Sequence, residues 1–313
     1  MSPARREAPA CAFAGSEVLA DALCAIVEAR SLTLSRVAGD FILQRMPSTN
    51  DWDTQLYNRF RRYRAEPFEH ILERLPIGDS ETIVDLGCGS GENTIELLRR
   101  TPRGQAIGID SSPAMIEAAN KLRLALDGAL RARLEFNLGN ISGFSETAAY
   151  SIIFSNAALQ WVPGHRKVFA ALHESLTPQG RLVVQMPAND RETAKVALNN
   201  LASEERWRAA LAGVDSLREV PPPEHYDRML REIGFEDVNC YYHTFEHPMK
   251  SPAEIVEWYM STGLRPYLNA LPKDQVEGFL SIYRERLDIA YGGSGQLVFP
   301  FRRIFIWGRR KRP

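Results

Sequence analysis

The sequence predicts an α/β protein: a parallel sheet with helices on both faces and a helical cap near the C-terminal end. Two observations carry this. Between residues 81 and 187, short apolar runs of strand length alternate with segments of helical period, the pattern of successive β-α-β units. Beyond 188 that rhythm loosens, and two later strand-like runs enclose a helical stretch, which fits an open sheet with an appended cap.

The elements follow in order. Residues 17–30, "EVLADALCAIVEAR", have apolar positions at helical spacing and read as one amphipathic helix packing on the main domain or on a second subunit. "TIVDL" (82–86) is a short apolar strand, and after a glycine-rich turn "ENTIELLRR" (92–100) has helical period. "QAIGID" (105–110) is the next strand and "SPAMIEAANKLRLAL" (112–126) the next helix. Strands follow at 133–139 and 150–156, then a helix at 166–176 and a strand at 180–187. Residues 188–220 are polar and helical in pattern. "PPPEHYDRMLREIGF" (221–235) begins on proline and stops at Gly234, the usual asymmetry of helix ends. Strands are expected at 236–247 and 296–310, with two helices in 251–291 flanking "STGLRPYLNAL". The expected organisation is an N-terminal helical extension, 1–50, and one main domain, 51–313. Cap segments fall at about 188–220 and 248–295.

Composition narrows the function classes. Lys and Arg total 38 against 39 Asp and Glu, a formal charge of −1, so no global field favours nucleic acid or an anionic membrane. Anion recognition has to be local. The four cysteines, Cys11, Cys24, Cys88 and Cys240, are scattered without a CxxC pair or metal spacing, so no metal site is expected and the thiols read as reduced. No apolar run approaches a membrane span, and the first residues lack the sustained apolar core of a secretory signal. A cytoplasmic protein, monomer or homodimer, is expected.

The strongest chemical signal is "VDLGCGSGENT" (84–94). Gly87, Gly89 and Gly91 lie between a strand and a helix, where glycine permits a tight turn and close approach to a ligand. The helix start behind them offers unpaired N–H groups. Asp110 ends the following strand, where a carboxylate accepts hydrogen bonds from two ribose hydroxyls. The spacing is G-x-G-x-G, not the dinucleotide G-x-G-x-x-G, and Glu92 stands where a third glycine would favour a pyrophosphate. The Walker pattern is absent. G-x-G-x-G preceded by Asp85 resembles motif I of the class I S-adenosylmethionine-dependent methyltransferases.

A more specific resemblance runs from about Trp52 to Arg310. It is carried by "WDTQLYNRF" (52–60), "VDLGCGSGENT", "GIDSSPAM" (108–115), "NAALQWVPGH" (156–165), "LTPQGRLVVQMP" (176–187), "TGLRPYL" (262–268) and "LVFPFRRIFIWGRR" (297–310). On these segments the chain resembles the trans-aconitate methyltransferases, which esterify one carboxylate of a small polycarboxylic acid with S-adenosylmethionine as methyl donor. The resemblance implies a Rossmann-like class I methyltransferase sheet, mostly parallel with the last strand antiparallel. It implies cofactor contacts from Asp85, Gly87, Gly89, Gly91, Asp110, Ser111, Met115, Asn140, Ile141 and Asn156. Asn140 stands where the family usually has an acid that bonds the adenine amino group, and an Asn carbonyl also accepts that bond. The chain further departs from the family at Glu66-Pro67, where Arg-Pro is usual, and at His225-Tyr226, where a Tyr-Tyr pair is common.

A carboxylate acceptor is already ionised at neutral pH, with a pKa of about 4, so no general base is expected. Catalysis then rests on alignment and exclusion of water. Arg265, with its planar fork, and Tyr267 are expected to reach from the cap and grip a non-reacting carboxylate. Gln160 and His247 are expected to assist in positioning, and Tyr57, Arg64, Trp161, Tyr226 and Arg303 complete the candidate substrate pocket. Two other readings stay open: methylation of a hydroxyl, with His165 or His247 as base, and a non-catalytic binding protein on the same fold.

Overall fold

The computed structural model describes residues 60–214, 219–260, 263–293 and 295–312. The expected helix at 17–30, the extension 1–50 and Tyr57 lie outside them.

Seven strands form one sheet among the described residues. They are β1 (Thr82–Leu86), β2 (Gln105–Asp110), β3 (Leu134–Leu138), β4 (Tyr150–Asn156), β5 (Leu176–Pro187), β6 (Phe235–Met249) and β7 (Leu297–Arg310). Their order is β3-β2-β1-β4-β5-β7-β6. The first five pair in parallel, and β7 runs antiparallel to both β5 and β6. The central strands are apolar on both faces, with Ile83, Val84, Ile152, Ile153, Val183 and Val184 all buried, because helices cover both sides. Edge strand β3 instead alternates, with Leu134 and Phe136 inside and Glu135 and Asn137 exposed.

Eleven α-helices are described: α1 (Arg61–Leu72), α2 (Glu92–Arg99), α3 (Pro113–Leu124), α4 (Gly128–Arg131), α5 (His165–Ser175), α6 (Thr193–Ala202), α7 (Glu205–Leu211), α8 (Pro223–Ile233), α9 (Pro252–Met260), α10 (Arg265–Ala270) and α11 (Lys273–Ala290). They divide the core into three. Phe68 and Ile71 of α1, Ile95 and Leu98 of α2 and Ala119 of α3 pack on one sheet face with Phe154 and Phe305. Phe169 and Leu172 of α5 and Met229 and Leu230 of α8 cover the other, against Ile153, Val184 and Ile306. The third core is largely helical: Leu198, Trp207, Trp258, Tyr267, Phe279 and Tyr283 close on Phe299 and Phe301 at the start of β7.

The structure corrects two boundaries. The stretch 251–291 holds three helices, not two, because Pro266 seeds α10 within the segment read as a connection. β5 begins at Leu176 and not at 180: Leu176 pairs with Tyr150 before the register shifts, and Gln179 takes a left-handed φ of 68° in between. No described helix is long and apolar enough to cross a membrane.

Candidate active site at the carboxyl edge of the sheet

The turn after β1 is fixed by backbone and packing. Gly87 and Cys88 donate their N–H groups to Ile109 O at 2.7 and 3.0 Å, which ties the turn to β2. Gly91 caps α2 with φ +88°, and a Cβ there would lie 2.4 Å from Phe136 Cζ, so only glycine lets the helix sit against β3. Gly89 differs: at φ +56°, a Cβ there would meet nothing within 4 Å. Its backbone fronts open space. Cys88 is buried, and burial pushes its thiol well above the ordinary range, which suits packing and not nucleophilic attack.

Asp85 is buried beneath the turn and accepts a 2.6 Å hydrogen bond from Thr94 Oγ1, joining β1 to α2. Burial raises its pKa to about 7; the Thr94 bond opposes this and the Asp110 charge adds to it. Asp110 accepts from Gly89 N and from Ser112 N, each at 2.9 Å. Each carboxylate oxygen retains a further lone pair, so the fixed carboxylate still has acceptors to offer. Ser112 caps α3 by accepting from Met115 N at 3.4 Å, which places exposed Ser111 and half-buried Met115 beside Asp110. Asn140 Oδ1 accepts from Ser142 N at 2.8 Å, and Ile141 next to it packs toward Gly87.

Asn156 ends β4, and its Oδ1 is buried with no hydrogen-bond partner. A buried orphan acceptor costs about 1–3 kcal/mol, so it marks a place for a donor. The next residue, Ala157, holds a left-handed φ of 56°, a strain typical of site loops. An acid with spare acceptors, an open backbone at Gly89 and an orphan acceptor at Asn156 together fit a ribose and an ammonium. They fit S-adenosylmethionine.

The neighbouring strand ends build a second half. Asn156 pairs with Gln185 in β5, and Pro187 stands opposite Arg303 in β7. Arg303 is only 5% exposed. Its Nη1 donates to Gln185 Oε1 at 3.3 Å, and its guanidinium lies 4.8 Å over the Phe301 ring. Arg303 Nε and Gln185 Nε2 are both buried without a partner. No carboxylate lies within ion-pair distance of Arg303 among the described residues. Burial lowers its pKa to about 9, helped by the Arg64 charge and opposed by Glu66, so it stays cationic at neutral pH.

His247 is fully buried, stacked on Tyr63 at 4.5 Å and Trp258 at 5.2 Å, with Glu66 Oε2 at 3.5 Å from Nδ1. Burial and the Arg303 charge push its pKa down to about 3, so the imidazole is neutral. Arg64 lies over the Trp258 ring at 5.3 Å. Thus α1, β6 and β7 bring Arg64, His247 and Arg303 together.

A profile of methyltransferase domains matches residues 57–239 of this sequence. A trans-aconitate 2-methyltransferase of Escherichia coli is 38% identical over 267 residues, covering 83% of this chain and 99% of its own length. The protein of that name from Paracidovorax citrulli is 36% identical with the same coverage. The chain belongs to the trans-aconitate methyltransferase family. Solved structures share the fold at lower identity. A Bacillus subtilis protein, YcgJ, aligns with a TM-score of 0.54 at 15% identity, over 79% of this chain and 99% of its own. A Haemonchus contortus phosphoethanolamine N-methyltransferase in complex with S-adenosyl-L-methionine aligns at 0.51 and 16%, over 85% and 61%.

In this methyltransferase the expected cofactor residues lie around the carboxyl ends of β1, β2, β3 and β4. The expected substrate residues do not form one group. Tyr226 is fully buried beneath α5, and its hydroxyl bonds His165 Nδ1 at 2.7 Å, while His165 Nε2 donates to Leu159 O at 2.9 Å. That pair joins α8 to the loop after β4. Tyr267 is likewise inside the helical core, its hydroxyl on Asn199 Oδ1 at 3.5 Å. Arg265 opens α10 and is half-buried. Trp161 is 55% exposed and shares a cavity of about 530 Å³ with Pro266 and Asn269 of α10, so the loop after β4 meets the cap helix there. Gln160 donates to Ala157 O at 2.6 Å and leaves its own Oε1 unpartnered. Sequence reasoning missed Gln185, although a glutamine inside the apolar run "LVVQM" is a visible signal.

Proposed function

We propose that this enzyme transfers a methyl group to one carboxylate of trans-aconitate, the acid named for its relatives. Its methyl donor is S-adenosylmethionine, whose sulfonium supplies an electrophilic methyl when bound. The observation that carries the acid is Arg303: a buried guanidinium without a carboxylate partner among the described residues, at the strand ends beside the proposed cofactor residues. A buried cation left unpaired costs several kcal/mol, and a ligand carboxylate removes that cost.

The chain's own groups then have distinct tasks. Arg303, held by Gln185, receives a non-reacting carboxylate and fixes the acid. The reacting carboxylate is ionised at neutral pH and needs only alignment with the methyl. Neither histidine is suited to remove a proton. His247 is neutral with a pKa of about 3, and both nitrogens of His165 are engaged. This argues against a hydroxyl acceptor. Arg265 remains a further candidate for the acid, from the cap. We read α6, α7 and α9–α11 as that cap, within one methyltransferase domain of residues 51–313 preceded by an extension.

The test is S-adenosylhomocysteine release with trans-aconitate, cis-aconitate, citrate, isocitrate, fumarate and an aromatic dicarboxylate, with product mass. A methyl ester of trans-aconitate is expected. Cofactor binding without turnover of any acid would overturn the reading.

A further inference from the structure

Among the described residues, Lys195 is a second buried cation without an ion pair. It sits on α6, which follows β5 after a short loop, so it lies just past the strand end that stands opposite Arg303. The residue is 2% exposed, and its Nζ has no hydrogen-bond partner. The acids nearby are otherwise employed. Glu192 accepts from Ala194 N, Lys195 N and Tyr259 OH at 2.9, 3.3 and 3.4 Å, and also from Tyr291 OH. Asp190 contributes only at a distance. The ammonium does lie 5.8 Å from the centroid of the Tyr267 ring. A cation–π contact of that kind offsets less than the burial of a lone charge costs. Burial depresses the ammonium's pKa, as expected for a cation with no anion of its own.

The surroundings tie Lys195 to the cap segment that the sequence singles out. Tyr267, on α10 with Arg265, bonds Asn199, one helical turn beyond Lys195 on the same face of α6. Lys195 therefore stands where the cap and the end of β5 meet.

We propose that Lys195 determines specificity in the reaction proposed above: its ammonium receives a second non-reacting carboxylate, the one that Arg303 does not hold. Two cations on separate elements then read the number of carboxylates. A tricarboxylate satisfies both and leaves one carboxylate to be methylated. This role rests on the carboxylate reading of the site.

The experiment compares wild type with Lys195→Met, which keeps length and removes charge. Binding of trans-aconitate and of fumarate is measured calorimetrically on protein saturated with S-adenosylhomocysteine, and S-adenosylhomocysteine binding and thermal midpoint are measured alongside. Expected are a loss of trans-aconitate affinity of at least tenfold and little change for fumarate. S-adenosylhomocysteine affinity should be unchanged, and the midpoint unchanged or higher, because a lone buried charge has gone. Equal trans-aconitate affinity in both proteins would overturn the proposal. So would a matching loss of S-adenosylhomocysteine affinity, which would make the cofactor's own carboxylate the partner, or a large fall in midpoint, which would make Lys195 structural. A wild type that binds S-adenosylhomocysteine but no polycarboxylate would instead overturn the proposed function itself.

Discussion

Gly89 and Gly91 are two residues apart and would answer the same substitution differently. Gly91→Ala drives a Cβ into the Phe136 ring and imposes an unfavourable φ, so it should lower stability by about 2–4 kcal/mol. Gly89→Ala meets no atom and adds only local strain of about 1–2 kcal/mol. Its methyl would occupy the space in front of the turn, so the loss should appear as at least tenfold weaker S-adenosylhomocysteine binding. Denaturant melts and calorimetric titration separate the two effects. Asp85 gives a pH signature. Its pKa in the folded state, about 7, lies above its unfolded value, so its stabilising contribution is full below about pH 4 and fades as pH rises through 7. Asp85→Asn keeps an acceptor for Thr94, and the difference in thermal midpoint between variant and wild type should grow in the variant's favour from pH 4 to 8. At this scale the proposed cofactor residues could be named because glycines and an acid at fixed offsets act locally. Arg303 was legible as a candidate but not as the centre of the proposed acid site. Its partner Gln185 is set by strand register across β5 and β7, which no single segment encodes.

Among the elements, β1, β2 and β4 match their sequence boundaries, since apolar runs between turn residues leave little freedom. The helix α1 was not anticipated. Pro67 sits in its interior, three arginines interrupt its apolar stripe, and its helical state depends on packing Phe68 and Ile71 against the sheet. The connection between β4 and α5 depends on His165 in a similar way. His165→Ala removes the bonds to both Tyr226 and Leu159 O; Leu159 O still accepts from Val162 N, so the buried Tyr226 hydroxyl is the group that loses its partner. It should cost about 1–3 kcal/mol of stability. The wild-type rate should show no limb in the histidine range: kcat is expected to stay level from pH 6 to 8, as read by S-adenosylhomocysteine release. A slope there would bring back a base-assisted mechanism.

Across the whole molecule, charge is balanced at −1, so the affinity for an acid is expected to come from a few buried cations and not from a broad field. Arg303→Met should therefore raise the KM for trans-aconitate about a hundredfold, with S-adenosylhomocysteine affinity kept within a factor of about two. Salt should change the KM of the wild type only modestly, because buried pairs are poorly screened. Steady-state assays from 50 to 300 mM salt would check this. The overall α/β plan was readable because alternation of strand and helix is written along the chain. The helical core of α6, α7 and α9–α11 was harder to read, because its aromatic residues are drawn from segments far apart in sequence and meet only in three dimensions.

The placement of β7 has a consequence for the order in which a ribosome delivers this protein. β7 is the last strand in sequence, yet it lies inside the sheet, between β5 and β6. When β6 has emerged, it has no neighbour to pair with, and β5 still shows an open edge. The half around β1, β2 and β4, with the turn and Asp110, has all its strands by then. Arg303 arrives with β7, so a nascent chain has the proposed nucleoside residues before the proposed main anchor of the acid. Ribosome-bound chains stalled before residue 297 would be expected to bind S-adenosylhomocysteine and to hold the acid only weakly. A strand made after β6 but seated inside it thus couples completion of the sheet to completion of the proposed acid site.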